Sequence, residues 1–267
     1  MTLRKKGWVE ALLTKREALE KVLGVPLGAM LGCGHFGCVF DSTSPWVVKF
    51  SIDPTEGPIW SKIVGLMKEE RYGDGGFPEI RSITRILPDI PYGGRKKKVW
   101  AIVREGIEPV FANVGGMLHL SPFTCEKYGL PADIGPYSSL NAFGPNAEDF
   151  STALNALNKY RMFAQAWHRG ARSRDGSREE TAELLQRVAD THFHGGACAP
   201  LGESLSMLAS NGVYLRDVHM MNIGWHVAAP GAGDDWDRLV IFDPGHTPTG
   251  KVTDIEEVLV ANGRAAL

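Results

Sequence analysis

The stretch "VYLRDVHMMNIGW", residues 213–225, places Arg216, Asp217 and Asn222 in the spacing R-D-x-x-x-x-N. Aspartate and asparagine carry oxygen atoms that accept hydrogen bonds and suit hard cations. Both side chains also shape ordinary turns by bonding to nearby backbone groups. The stretch alone therefore leaves a chemical role and a turn-forming role open, and the residues around it must decide between them.

A glycine-rich stretch lies far upstream: "LGCGHFGCVF", residues 31–40, contains Gly32, Gly34 and Gly37 as G-x-G-x-x-G. Dinucleotide-binding folds use this pattern between a strand and a helix, because the helix N-terminus holds the pyrophosphate. The residues that follow here, 38–50, are rich in β-formers around the turn "DSTSP" and have poor helix character. The pattern therefore predicts a β-hairpin, with Lys49 on the strand that follows it.

A third stretch, "LVIFDPGH" at residues 239–246, places Asp243 directly after an apolar run and before Pro244 and Gly245. Aspartate is common before Pro-Gly for turn reasons alone. Each of the three stretches is common by itself, but finding all three in this order along one chain is not. A glycine hairpin, a lysine-bearing strand, a helix, an R-D-x-x-x-x-N segment and a D-P-G segment follow one another along a single chain.

This order resembles the protein kinase-like superfamily over roughly residues 25 to 250, and D-x-H-x-x-N at Asp217, His219 and Asn222 is similar to its aminoglycoside-phosphotransferase branch. The resemblance implies an α+β, bilobal protein kinase-like fold. Residues 1–110 would form a small antiparallel-sheet N-lobe with the glycine-rich loop and an N-terminal helix. Residues 111–267 would form a helical C-lobe with the catalytic loop and the metal-binding D-P-G segment.

The chain departs from the family pattern in three places. Leu215 stands where histidine is usual, and D-P-G stands where D-F-G is common. Only 22 residues follow Gly245, and they contain no A-P-E motif. The resemblance therefore implies an abbreviated C-terminal lobe, whose substrate platform the sequence does not define.

For catalysis, the resemblance implies that Asp217 orients an acceptor hydroxyl and accepts its proton, while Asn222 and Asp243 hold Mg²⁺. His219 would either brace the catalytic loop through a structural hydrogen bond or touch phosphate. Lys49 would bind the α- and β-phosphates of ATP, and so count among the catalytic residues as well as the nucleotide-binding ones.

For nucleotide binding, the resemblance implies that Gly32, Gly34 and Gly37 let the backbone approach the phosphates without a Cβ in the way. The segment "VREGIEP", around Glu105 to Ile107, resembles the hinge whose backbone faces adenine. We expect Glu56 to pair with Lys49 in preference to Glu69 or Glu70, although Glu56 also suits a capping box with Asp53 at the start of its helix.

Three functions of different classes fit these residues. The first is an ATP-dependent phosphotransferase acting on a hydroxyl, with a protein serine or threonine slightly favoured over a small molecule. The second is a pseudokinase, a nucleotide-binding interaction module without turnover. The third is a kinase-fold nucleotidyl (AMP) transferase. All three predict ATP as a partner and one lysine, two carboxylates and one amide meeting at a cleft between two lobes.

Periodicity predicts the remaining elements. We expect one amphipathic helix at the N-terminus, a helix from Asp53, strands at 79–86 and 97–107, and an irregular connection over 111–147. Helices follow from about 148, near 179–192 and near 201–211. The stretch "HVAAPGAGDDWDR" predicts an enlarged hairpin turn between Asn222 and Asp243.

Composition bounds the partners and the compartment. A formal net charge of −2 over 267 residues gives no reason to expect nucleic acid or an anionic membrane as a partner. The longest apolar runs, such as "VWAIV" at 99–103, fall far short of the roughly 20 residues of a membrane helix. Four scattered cysteines predict reduced thiols and a cytoplasmic location.

Overall fold

The computed structural model describes residues 7–69, 75–114, 117–131, 148–168, 178–193, 198–226 and 238–245. It is an α+β structure with antiparallel sheets and several helices. Among the helices of these residues, none combines the length and the apolar character needed to cross a bilayer. The predicted α+β class is therefore confirmed.

The described chain divides into two compact units. The first contains residues 7–65 and 79–106 together with Gly245, and the second contains the described residues of 66–78 and 107–244. Each unit has its own sheet and its own helices.

The first unit is built on a five-stranded antiparallel sheet with the strand order β1-β2-β3-β5-β4. The strands are β1 (Met30–Cys33), β2 (Gly37–Asp41), β3 (Trp46–Ser51), β4 (Ile80–Tyr92) and β5 (Arg95–Glu105). The predicted glycine hairpin is therefore present as β1 and β2, with Lys49 on β3. Because side chains alternate along a strand, Val48 and Phe50 enter one core while Lys49 points to the opposite face.

Two short helices, α1 (Gly7–Leu13) and α2 (Arg16–Leu23), stand where the sequence predicts one. Trp8, Leu12 and Leu19 are fully buried in the same core as β2, β3 and β5. Between the helices, the Thr14 hydroxyl donates to the Ala11 carbonyl at 2.8 Å and the backbone of Lys15 bonds to Leu12. These local bonds compete with the regular helical pattern and end α1, which the apolar periodicity did not reveal.

The helix α3 (Glu56–Glu69) begins three residues later than predicted. Asp53 Oδ1 accepts from the backbone amide of Thr55 at 2.9 Å and from its hydroxyl at 2.8 Å, which forms a turn before the helix. The amide of Ile59 then donates to the carbonyl of Thr55. Asp53 therefore organises the turn that leads into α3, and Glu56 is the first residue within it.

The predicted turn "PDIPYGGR" is wrong over most of its length. β4 continues through Asp89 and Pro91 to Tyr92, and only Gly93 and Gly94 form the turn to β5, both with positive φ (59° and 73°). β4 is the edge strand of its sheet, where a proline that lacks an amide hydrogen is tolerated. The prolines therefore mark the edge of the sheet here and not a loop.

The expectation of four reduced thiols is wrong for one pair. Cys33 and Cys38 lie directly opposite each other in the register of β1 and β2 and form a disulfide. Cys125 and Cys198 are free and buried. The spacing of Cys33 and Cys38 matches no cysteine pattern that predicts a disulfide. The register of the hairpin is what brings the two residues together. Because one pair of cysteines forms a disulfide, cysteine usage supports a cytoplasmic location less strongly than the sequence suggested.

The second unit contains three long helices and three small antiparallel pairings. The helices α5 (Glu148–His168), α6 (Arg178–His192) and α7 (Ala199–Ser210) confirm the predicted ones, and α6 packs between α5 and α7. The remaining elements are β6 (Glu108–Pro109), β7 (Phe111–Val114), β8 (Met117–Leu120), α4 (Pro122–Lys127), β9 (Ile223–His226) and β10 (Arg238–Ile241).

The irregular connection predicted over 111–147 is wrong for its first part. β7 and β8 form a hairpin, and Ser121 caps α4 by accepting from the amide of Thr124 at 3.2 Å. Residues 132–147 of the prediction lie outside the described residues. The enlarged hairpin before Asp243 is confirmed in its strands, because β9 and β10 pair antiparallel, while its tip at 227–237 lies outside the described residues.

Candidate functional site

A buried ion pair on the first unit joins Lys49 and Glu56. Lys49 Nζ lies 2.5 Å from Glu56 Oε1, and the side chains are only 7% and 3% exposed. Lys49 stands opposite Ile102 in the sheet and faces α3, whose first residue is Glu56. The structure therefore confirms Glu56 as the partner of Lys49, while the nucleotide-binding role of both residues stays a prediction.

The three glycines of the loop differ in what surrounds them. A Cβ added to Gly37 would lie 2.8 Å from the Phe50 carbonyl oxygen and 3.1 Å from Lys49 Cε. Among the described atoms, a Cβ on Gly32 would meet nothing within 4 Å, and one on Gly34 would meet only a backbone oxygen at 4.0 Å. Gly37 is therefore required by packing against the Lys49 strand, whereas the space beside the other two glycines is open.

The predicted hinge residues fall at the end of the first unit and the start of the second. The Glu105 amide donates to the Glu79 carbonyl at 2.9 Å, and the Glu105 carbonyl accepts from Arg104 Nη1 at 2.9 Å. An adenine contact through these two backbone groups would have to compete with bonds inside the protein. Ile107 packs against Gly224, where any added Cβ would overlap its side chain. The adenine-binding role of Glu105 and Ile107 stays a prediction.

The second unit brings Asn222 and the segment of Asp243 to one end of a hairpin. Ile223 of β9 pairs with Ile241 of β10, and the Phe242 amide donates to the Asn222 carbonyl at 3.0 Å. Asp243 is the next residue and is half-buried. Two residues that are 21 positions apart in sequence are therefore held at adjacent places by the antiparallel register.

Asp217 and Asn222 are joined through the loop backbone. Asn222 Nδ2 donates to the Asp217 carbonyl oxygen at 2.8 Å, and the Asn222 amide donates to the His219 carbonyl at 2.8 Å. Because a carbonyl oxygen only accepts, the side-chain atom facing it must be Nδ2. Asn222 Oδ1 is therefore the side-chain atom that can accept a hydrogen bond from a ligand or bind a cation.

His219 lies in the same loop as Asp217, close to its carboxylate. Its Nδ1 accepts from the Met221 amide at 3.1 Å, and its Nε2 lies 3.7 Å from Asp217 Oδ1. Burial lowers the pKa of His219 below its usual range, and Arg161 adds to this effect, while Asp217 and Asp243 act in the opposite direction. His219 therefore caps the short 3₁₀ turn Met220–Asn222 as a neutral ring, which favours the bracing role over a charged contact with phosphate.

Arg161 is a residue of this cluster that the sequence did not indicate. It lies on α5, and its charge acts on His219 together with those of Asp217 and Asp243. Its Nε is buried and has no hydrogen-bond partner among the described residues. Arginine is common on helix surfaces, so only the packing of α5 against the 3₁₀ turn distinguishes this one.

The oxygens of Asn222 and Asp243 are of the type that Mg²⁺ prefers. Within the described ranges, no group of three or more histidine, cysteine, aspartate or glutamate residues is arranged to hold a metal ion. Mg²⁺ usually takes one or two protein carboxylates and fills its remaining positions with water and substrate phosphates. Asn222 Oδ1 and the Asp243 carboxylate are ligands of this hard, oxygen-only type, so the residues fit the ion without forming a closed cage.

The predicted site residues thus form two groups, one in each unit. Lys49, Glu56 and Gly37 are brought together in the first unit, which also holds Gly32, Gly34 and Glu105. Asp217, Asn222 and Asp243 are brought together in the second unit, which also holds Ile107. Strand register places Gly37 beside the Lys49 strand and Asp243 next to Asn222. Asp217 and Asn222 instead belong to one loop, and Glu56 reaches Lys49 from a helix.

Comparisons with known proteins add no family to this geometry. The chain matches no protein-family model, and no curated protein sequence is significantly similar to it.

Proposed function

We propose that this protein is an ATP-dependent phosphotransferase of the kinase-like type, which moves the γ-phosphoryl group of ATP to a hydroxyl acceptor with the help of Mg²⁺. Its lobes are 1–110 and 111–267, and a protein serine or threonine is slightly favoured over a small molecule as acceptor. The proposal rests on the chemistry of the two residue groups described above.

The observation that carries the proposal is the arrangement of Asp217, Asn222 and Asp243. The Asn222 side chain is turned by its bond to the Asp217 carbonyl, so that an oxygen is left for a cation. The β9–β10 register sets the Asp243 carboxylate at the adjacent position. An amide oxygen and the Asp243 residue at adjacent positions, with the Asp217 carboxylate in the same loop as the amide, supply the kinds of group that metal-assisted phosphoryl transfer uses.

The buried pair of Lys49 and Glu56 supports the nucleotide-binding part. A lysine in such a position keeps its charge because the carboxylate beside it compensates for the loss of water. The pair also fixes the long, flexible lysine side chain in one direction. An ammonium held in this way suits binding of the α- and β-phosphates, next to a loop whose backbone is open at Gly32 and Gly34.

In the proposed reaction, the acceptor oxygen forms a bond to the γ-phosphorus while the bond from that phosphorus to the β–γ bridging oxygen breaks. Asp217 accepts the proton of the acceptor hydroxyl, and ADP leaves with the electron pair of the broken bond. Bound Mg²⁺ supplies positive charge to the phosphate oxygens. The Asp217 carboxylate is 30% exposed, which leaves it accessible to a hydroxyl.

The proposal is tested by incubating the protein with Mg²⁺ and ATP labelled at either the γ- or the α-phosphate, in the presence of protein and small-molecule acceptors. We expect transfer of the γ-label only. Asp217→Asn should reduce this transfer by about 100-fold or more, because it removes the proton acceptor. Asp243→Asn should reduce both the transfer of the γ-label and the Mg²⁺ dependence of nucleotide binding.

The matched control is Glu183→Gln, which makes the same change from carboxylate to amide at an exposed position on α6. Its transfer rate should equal that of the wild type. Transfer of the α-label would instead identify a nucleotidyl transferase, and nucleotide binding without transfer of either label would identify a pseudokinase. Undiminished transfer by Asp217→Asn would remove the role given to that residue.

A further inference from the structure

Arg161 is a charged residue beside the Asp217 cluster that has no role in the scheme above. It occupies the helix face that contacts the catalytic loop. On the same helix, His168, two turns further, contacts the Tyr214 carbonyl through Nε2 at 2.6 Å. This bond, together with the packing of α5 against the 3₁₀ turn Met220–Asn222, holds the helix that carries Arg161 against the 214–222 segment.

The helix that carries Arg161 packs against the 3₁₀ turn Met220–Asn222, and the charge of Arg161 acts on His219 in that loop. In the described part of the chain, no carboxylate lies within ion-pair distance of Arg161, and its buried Nε has no acceptor. A buried donor without an acceptor is unfavourable, and arginine offers five donors in a planar fork that suits phosphate oxygens. Among the described residues, the Nε donor of this cation is therefore left without an acceptor.

The position of the charge indicates which anion would use it. In the proposed reaction, the transferred group would lie between Asp217, which takes the proton of the acceptor, and Asp243, which would hold Mg²⁺. The charge of Arg161 acts on His219, the residue that also feels both carboxylates. Negative charge on the three non-bridging oxygens of the transferred group requires compensation in that place.

We propose that Arg161 binds the γ-phosphoryl group of ATP through its guanidinium, as a phosphate-binding residue of the α5 helix. This inference rests on the proposed phosphotransferase function. According to this proposal, Arg161 is the residue of the second unit that distinguishes ATP from ADP. Lys49 would bind the α- and β-phosphates, which both nucleotides have.

The experiment measures the dissociation constants of Mg²⁺-ADP and of the Mg²⁺ complex of the imido analogue of ATP by calorimetry. Arg161→Gln should weaken binding of the ATP analogue about tenfold or more and leave ADP binding within about twofold, since a charge-assisted hydrogen bond is lost only where a γ-phosphoryl group is present. Arg161→Lys should give an intermediate value for the analogue. Arg187→Gln, on the exposed face of α6, is the control and should change neither constant.

Each result decides between explanations. If Arg161→Gln weakens the binding of both nucleotides by the same factor, or of neither, Arg161 does not have the role proposed for it. The phosphotransferase proposal would still stand. Failure of the wild-type protein to bind either nucleotide would overturn both. If Arg161→Gln does not fold by circular dichroism, Arg161→Lys decides alone, because lysine keeps the charge and the stem but loses the planar fork.

Discussion

The two charged groups of this protein are built in opposite ways. Lys49 and Glu56 are almost completely buried and form a direct ion pair. Asp217 and His219 are 30% and 22% exposed, and His219 Nε2 lies 3.7 Å from Asp217 Oδ1. The first group is neutralised inside the protein, whereas the loop of the second is held by hydrogen bonds of the Asn222 side chain and the His219 ring to its backbone.

Burial explains this difference. A charge removed from water is tolerated when a partner of opposite sign stands beside it, so the buried lysine requires the buried glutamate. A carboxylate that retains contact with water, such as that of Asp217, does not require a buried partner of opposite charge. The comparison therefore predicts that the first group matters for stability and the second mainly for binding and chemistry.

The largest effect on stability should come from Lys49→Met. This change leaves the Glu56 carboxylate buried without its cation, which should lower the free energy of unfolding by about 3–5 kcal/mol. The double variant Lys49→Met/Glu56→Leu should recover most of that loss, because no buried charge remains. Urea denaturation followed by tryptophan fluorescence measures all three unfolding free energies.

Asp217→Asn provides the matching test in the second group. Since the carboxylate is partly exposed and has no short ion pair, its loss should change the unfolding free energy by no more than about 0.5 kcal/mol. A loss as large as that of Lys49→Met would show that the second group also maintains the fold, and the contrast drawn here would be wrong.

A smaller effect is expected from Gly37→Ala. The added methyl group would meet the Phe50 carbonyl oxygen and the Lys49 side chain, so the strands must shift, at a cost of about 1–3 kcal/mol. Gly34→Ala, in the same loop but with open space around it, should stay within about 0.5 kcal/mol of the wild type. Thermal denaturation of both variants checks this, and equal melting temperatures would show that Gly37 is not held by packing.

The smallest effect concerns pH. Burial lowers the pKa of His219 below its usual value of 6.5, so the unfolded chain binds a proton at this residue more readily than the folded one. The contribution to stability is therefore complete above about pH 6.5 and declines as the pH falls toward the lowered pKa. His219→Gln should lose less stability than the wild type between pH 7.5 and 5.5, measured in EDTA.

NMR titration of the imidazole resonances sharpens the same point. Asp217 acts to raise the pKa of His219, so Asp217→Asn should lower it further. A rise of the His219 pKa in this variant would contradict the arrangement described for the loop.

The sequence predicted several parts of the fold because local patterns determine them. Alternation around the glycines predicted the β1–β2 hairpin and placed Lys49 on β3, and 3.6-residue periodicity predicted α5, α6 and α7. The prolines of β4 misled the same reasoning, because their effect depends on whether a strand lies at the edge of a sheet. The kinase-like fold and its reaction stay proposals drawn from the order of the motifs.

By itself, the sequence determined the types and the order of the polar residues along the chain: a lysine after the glycines, an aspartate and an asparagine in one loop, and an aspartate after an apolar strand. Only the tertiary structure decided that Glu56 meets Lys49, that Cys33 meets Cys38, and that the helix carrying Arg161 packs against the 3₁₀ turn Met220–Asn222. The physical reason is that chain order and residue type are local properties. Contacts between distant residues depend on strand register and helix packing, which are fixed only when the core forms.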